Sequence, residues 1–239
     1  MDGPVLASPD EAARAFAESG CALRMGPRNL RARGARTREE YLARYRRGLY
    51  GWDAVPAPVR RRLERNTRLA KGAARAAGFE SLAAMPWRVV LSGPGAENGW
   101  AHTTGDVIVI PHRALVAASD EELQRLLVHE AVHVAQRRDR DGALRLVSGE
   151  WGFRPVTGAR LRRVMSLGEA RVNPDTDGDV YELDGRVCYP VLDRDAETLA
   201  NIRLRPDGHH PRWVGVAENH EHPFEIMAEV VAGEAVRPR

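Results

Sequence analysis

"LLVHEAVHVAQ", residues 126–136, sets two histidines four apart, with a glutamate directly after the first, in a run of leucine, valine and alanine. An α-helix turns by about 100° per residue, so positions four apart share a face. His129 and His133 would therefore offer two imidazole nitrogens to one ion, and Zn²⁺ suits such ligands. Glu130 would flank that ion rather than ligate it, placed to take a proton from a water that the metal holds. The stripe continues as Leu126, His129, His133 and Gln136. Leu123, Leu127, Ala131 and Val134 form the neighbouring apolar face that would pin the helix to a core. The alternative is a histidine pair satisfied by core hydrogen bonds, with Glu130 exposed. Two imidazoles and a carboxylate along a buried helix are costly unless something binds them, which favours the metal.

Two histidines leave a catalytic zinc site one protein ligand short. No HExxHxxGxxH follows, so the third ligand must come from elsewhere. "HPFEIMAEVVA", residues 222–232, is predicted as a helix entered through Pro223, with Ile226, Met227, Val230 and Val231 as its apolar surface. Glu225 and Glu229 lie four apart on one face of it, and Glu225 is 92 residues after His133. Glu225 is assigned as ligand. Glu229 would accept a hydrogen bond from a ligand histidine and fix its tautomer. The reverse assignment stays open, as does a reading of both as surface carboxylates.

Working outward, the pattern reads as an α+β protein. Capping boxes at "SPDE" (8–11), "TREE" (37–40) and "SDEE" (119–122) open helices, the last running to about Arg138. Val59 to about Ala77 is a further helix, ended by Gly78. "WRVVLS" (87–92) and "WAHTTGDVIVIP" (100–111) read as strands, the latter with a bend at Gly105-Asp106. "DVYELDGRVCYPV" (179–191) reads as a hairpin turning at Asp184-Gly185, and "RWVGV" (212–216) as a strand. A composition shift near Met85 divides a helical, Arg-rich region, 1–85, from a catalytic region, 86–239.

The 239-residue chain is 43% hydrophobic and 29% charged, ordinary values for a globular protein. No apolar run approaches the roughly 18 residues of a membrane helix, and no secretory leader is visible. Cys21 and Cys188 form no CxxC motif or disulfide framework, which with the rest points to the cytoplasm and no membrane partner. Residues 24–75 carry fifteen Arg and one Lys against four acidic residues, a net +12, so the rest of the chain is −9. Nucleic acid is a possible partner for such a segment. A solvated helical surface is favoured, because no aromatic-interleaved signature accompanies the charge.

An HExxH helix followed by a helix carrying E-x-x-x-[D/E] resembles the gluzincin group of zinc metallopeptidases, the thermolysin-like arrangement. "HEAVHVAQ" and "HPFEIMAE" also resemble the motif pair of small HExxH proteins of bacteria and viruses, which carry a segment like "NPDTDGDVYELDGRVCYPV" between the two. The resemblance spans roughly residues 86–235, and Glu229 departs from the more usual Asp. It implies a zincin-like fold: a small sheet, an active-site helix and a C-terminal ligand-bearing helix. It also implies an edge strand before the HExxH helix, along which Ala101 to Thr104 would pair with substrate main chain.

Peptide hydrolysis further needs a donor for the oxyanion. Tyr181, Tyr189, His220 and His222 are candidates, with Tyr189 and His220 put forward. His102 reads as incidental, and "DTDGD" (175–179) as a turn rather than a calcium loop. The expectation is a zinc metallopeptidase acting on peptide or protein. Two alternatives are a tailoring enzyme for a small molecule or modified peptide at the same zinc site, and a non-enzymatic nucleic-acid- or protein-binding module with structural zinc.

Overall fold

The computed structural model describes residues 3–166, 170–188, 190–192, 199, 202–204 and 222–237. It is an α+β protein built on one mixed sheet. The strands are β1 (Val5–Leu6), β2 (Leu49–Tyr50), β3 (Arg88–Ser92), β4 (His102–Thr104) and β5 (Val107–Pro111). β3 and β5 run parallel at the centre, and β4 lies antiparallel to β5 at one edge. The other side of β3 is shared: β1 pairs in parallel with Arg88 and Val89, and β2 antiparallel with Leu91 and Ser92.

The central strands are continuously apolar because both of their faces are buried. Val89, Leu91, Ile108 and Ile110 enter one core; Val90, Val107 and Val109, alternating with them, enter another. The second core is closed by α1 (Pro9–Glu18), α2 (Gly20–Arg24), α3 (Pro27–Ala32) and α4 (Arg38–Arg47), through Phe16, Cys21, Leu30, Tyr41 and Tyr45. The first is covered by α5 (Ala57–Ala76), α6 (Glu80–Ala84), α7 (His112–Ala117) and α8 (Asp120–Arg138). The division expected at residue 85 thus falls between segments whose strands hydrogen-bond into one sheet. The Arg-rich segment is also used internally: Arg62 bonds Asp120 and the Leu115 and Ala118 carbonyls, and Arg38 bonds the Ala17 carbonyl.

Beyond α8 come α9 (Arg140–Leu144), α10 (Gly158–Ser166), the strands β6 (Arg154–Pro155), β7 (Tyr181–Leu183) and β8 (Arg186–Cys188), and the pair β9 (Pro190–Leu192) and β10 (Ile202–Leu204). The β7–β8 turn holds Asp184 and Gly185 at φ of 50° and 77°, as the Asp-Gly pair requires. α11 (Pro223–Ala235) packs on α8 and closes the first core with Phe224, Ile226 and Ala228. The expected strand at 212–216 lies outside the described residues. No helix among the described residues is long and apolar enough to cross a membrane.

Candidate metal centre

α8 starts where the capping box places it. The Glu122 N–H donates to Ser119 Oγ at 3.1 Å, and the Ser119 N–H to Glu122 Oε2 at 2.7 Å. Acidic residues fill its first turn and Arg137 and Arg138 its last, matching the helix dipole. Leu123, Leu127, Ala131 and Val134 are buried in the first core, so the stripe carrying His129 and His133 turns toward α11. α11 starts at Pro223 after His222, whose Nδ1 accepts the Phe224 N–H at 3.1 Å.

The two helices bring three donor atoms together. Glu225 Oε2 lies 3.3 Å from His129 Nε2 and 3.4 Å from His133 Nε2, and the two Nε2 atoms are 3.1 Å apart. Each imidazole is oriented from behind. His133 Nδ1 donates to Gln136 Oε1 at 2.9 Å, and the Gln136 amide is itself fixed by donating to the Phe224 carbonyl at 2.9 Å. His129 Nδ1 faces Glu229 Oε1 at 3.3 Å, and Arg125 holds the other Glu229 oxygen at 2.8 Å. With both Nδ1 atoms engaged from behind, both Nε2 atoms converge beside Glu225, where a metal ion would take their lone pairs. His129, His133 and Glu225 could therefore hold a metal ion.

Charge reinforces the arrangement. Burial works against ionising Glu225, yet His133 and His129 hold it well below the usual carboxylate range. Burial also opposes a charged His129, and the hydrogen-bonding Glu225 and Glu229 outweigh it, raising the imidazole well above its ordinary value. Glu229 is lowered to about 2, first by its hydrogen bond with His129 and then by Arg125. A divalent cation would take over the positive charge that these carboxylates attract.

Glu130 is buried beside this group, and its Oε2 has no hydrogen-bond partner among the described residues. Burial pushes it well above the carboxylate range; the Asp175 charge adds to the effect and His129 opposes it. A buried carboxyl that favours its protonated form has the environment of a general acid–base group.

The segment 170–176 contributes residues that sequence reasoning missed. Asn173 Nδ2 donates to Glu225 Oε1 at 2.8 Å, and its Oδ1 accepts the Asp175 N–H at 3.1 Å. Asp175 Oδ1 accepts both the N–H and the hydroxyl of Thr103, at 2.6 and 2.8 Å. That bond corrects one expectation. β4 is an edge strand, but its Thr103 N–H is taken by Asp175 and cannot receive substrate main chain.

This segment is held in place by the N-terminal helices. Asn29 bonds the Ala170 carbonyl and the Val172 N–H, while Arg33 bonds the Val172 carbonyl and grips both Glu97 oxygens at 2.7 and 2.8 Å. Glu97 also accepts from the Tyr41 hydroxyl.

His102 lies on the opposite side of the sheet, bonded to the Tyr45 hydroxyl and the Trp100 carbonyl. Tyr181 is buried against the rings of Phe224 and His222. Tyr189 and His220, put forward as oxyanion donors, lie outside the described residues. A cavity of about 480 Å³ opens beside the centre, lined by Trp100, Ala101, Arg113, Leu126, His129 and Glu130 among others. No family model, curated protein or solved structure matches the chain.

Proposed function

We propose that the chain is a zinc-dependent hydrolase, a metallopeptidase of zincin-like, gluzincin-type architecture. His129, His133 and Glu225 would be its zinc ligands, Glu130 its proton carrier, and Glu229 the group that orients His129. The donor geometry carries the reading. Tetrahedral donors at about 2.0–2.1 Å from one ion stand about 3.3–3.4 Å apart. The three observed separations are 3.1, 3.3 and 3.4 Å. The two distances to Glu225 are long for N–H···O hydrogen bonds, and all three suit shared ligation.

A zinc ion held there would polarise a scissile carbonyl and bring the pKa of a water toward about 7. The chain's own residues supply the rest. Glu130, raised by burial and with one oxygen unpartnered, would take the proton of the attacking water and deliver it to the leaving amine. Trp100 and Ala101 on the cavity wall would align the peptide, with main-chain pairing left to Ala101 because Thr103 is engaged.

Zinc stoichiometry and peptide cleavage test the proposal together, on wild type, Glu130→Gln and Glu225→Ala. Glu130→Gln should keep one zinc and lose roughly 10²–10⁴-fold in turnover. Glu225→Ala should lose the metal. Retention of full metal by Glu225→Ala would remove the proposed site.

A further inference from the structure

We infer that Arg113 selects substrates bearing a carboxylate next to the scissile bond, either an acidic side chain or a free C-terminus. The inference rests on the hydrolase reading and names a substrate class for it. The cavity beside the metal centre carries five charged side chains besides His129: Arg113, Glu122, Arg125, Glu130 and Glu229. Four have a stated use. Glu122 closes the capping box of its own helix through Ser119. Arg125 and Glu229 pair at 2.8 Å, and Glu229 also faces His129. Glu130 sits at the metal centre. Arg113 makes no ion pair or hydrogen bond among the described residues, so of the cations lining the cavity its guanidinium is the one without a carboxylate partner.

The wall beside this exposed side chain is built. Glu97, Asn98 and Gly99 all have positive φ, at 43°, 54° and 74°, a left-handed turn that costs energy at the first two. It is clamped from beneath, Glu97 by Arg33 and Tyr41, and the Asn98 amide by donating to the Ala32 carbonyl at 3.0 Å. Gly99, at the end of this turn, is where the guanidinium rests. A Cβ added there would lie 3.7 Å from Arg113 Nε and 3.8 Å from its Cζ. No carboxylate answers Arg113 in the first turn of α7, where the helix dipole also disfavours a cation. A planar guanidinium beside the apolar walls of Trp100, Ala101, Ala114 and Leu126 fits a carboxylate in bidentate fashion, on a substrate whose remaining contacts are apolar.

The experiment uses zinc-loaded full-length protein, wild type, Arg113→Ala and Arg113→Glu. The substrates are internally quenched peptides differing by Glu against Gln beside the cleaved bond, and by a C-terminal acid against an amide. Wild type should favour one acidic member of these pairs by about tenfold or more in kcat/KM. The pair that responds identifies the source of the carboxylate. Arg113→Ala should abolish the preference, and Arg113→Glu should turn it toward Lys-containing peptides. Equal rates within both pairs, or an unchanged preference in Arg113→Glu, would overturn the inference while leaving the hydrolase reading intact. If no peptide is cleaved, the hydrolase reading fails first. Binding of the same peptides to wild type and Arg113→Glu, read by fluorescence anisotropy, then still decides the role of Arg113. Loss of the acidic preference in the variant supports it, and its absence in wild type overturns it.

Discussion

Two glutamates are buried to the same extent on opposite sides of the sheet: Glu97 is 2% exposed and Glu130 is 3% exposed. Their surroundings differ completely. Glu97 meets Arg33 through both oxygens, with the Tyr41 hydroxyl completing the set. Burial alone would discourage its charge, but Arg33 outweighs that and holds the carboxyl below its ordinary value. No guanidinium grips Glu130, and burial, with the Asp175 charge, drives it upward against His129. One cluster closes its charge on itself and serves as structure. The other leaves a carboxylate unanswered beside three converging donors, which is the arrangement of a site.

The same Glu→Gln change should therefore act with opposite sign at the two positions. Glu97→Gln leaves Arg33 buried without its counter-charge, and should cost about 3–5 kcal/mol in urea unfolding. Its effect should also depend on acid. The folded pKa of Glu97 lies below the ordinary 4.5, so its contribution is full above that pH and fades as pH falls through the folded value. The stability gap between wild type and Glu97→Gln should accordingly narrow below pH 4.5. Parallel curves down to the acid transition would remove Arg33–Glu97 from the account of stability.

A smaller effect is expected where the two regions are joined. Asn173→Ala removes the hydrogen bond to Glu225 Oε1. It should weaken zinc binding about 10–100-fold in chelator competition, with the circular dichroism spectrum unchanged. Undiminished affinity would mean that α11 positions Glu225 unaided. The smallest effect is a gain. In chelator-treated protein, Glu130→Gln should raise stability by about 1 kcal/mol, because a neutral amide replaces a carboxylate that burial penalises. A loss of stability there would show that Glu130 is structural, as Glu97 is.

The sequence made the helices of the centre legible, because each carries a local signature. Ser119 and Glu122 mark the start of α8, the 129–133 spacing gives one face, and Pro223 marks α11. The short β-branched runs "VVL" and "VIVI" gave the central strands. What stayed hidden depends on distance along the chain. Asn173 reaches Glu225 across 52 residues, and Arg33 reaches Glu97 across 64, and neither bond leaves a periodic trace. Arg33 in particular stands in a stretch of arginines that reads as solvated surface, yet its side chain is wholly buried. β1 and β2 are two residues each, too short to show a pattern. The division at residue 85 followed composition, whereas the sheet follows hydrogen bonds.

The Asp175 carboxylate on Thr103 also bears on how the protein behaves among copies of itself. An edge strand with open main-chain groups is a template for another chain, and proteins that survive crowding blunt such edges with a charge. Asp175 places a charge at the outward-facing N–H of β4, the kind of device that keeps an edge strand from pairing with a second copy. The segment that steadies Glu225 through Asn173 thus also caps this sheet edge through Asp175.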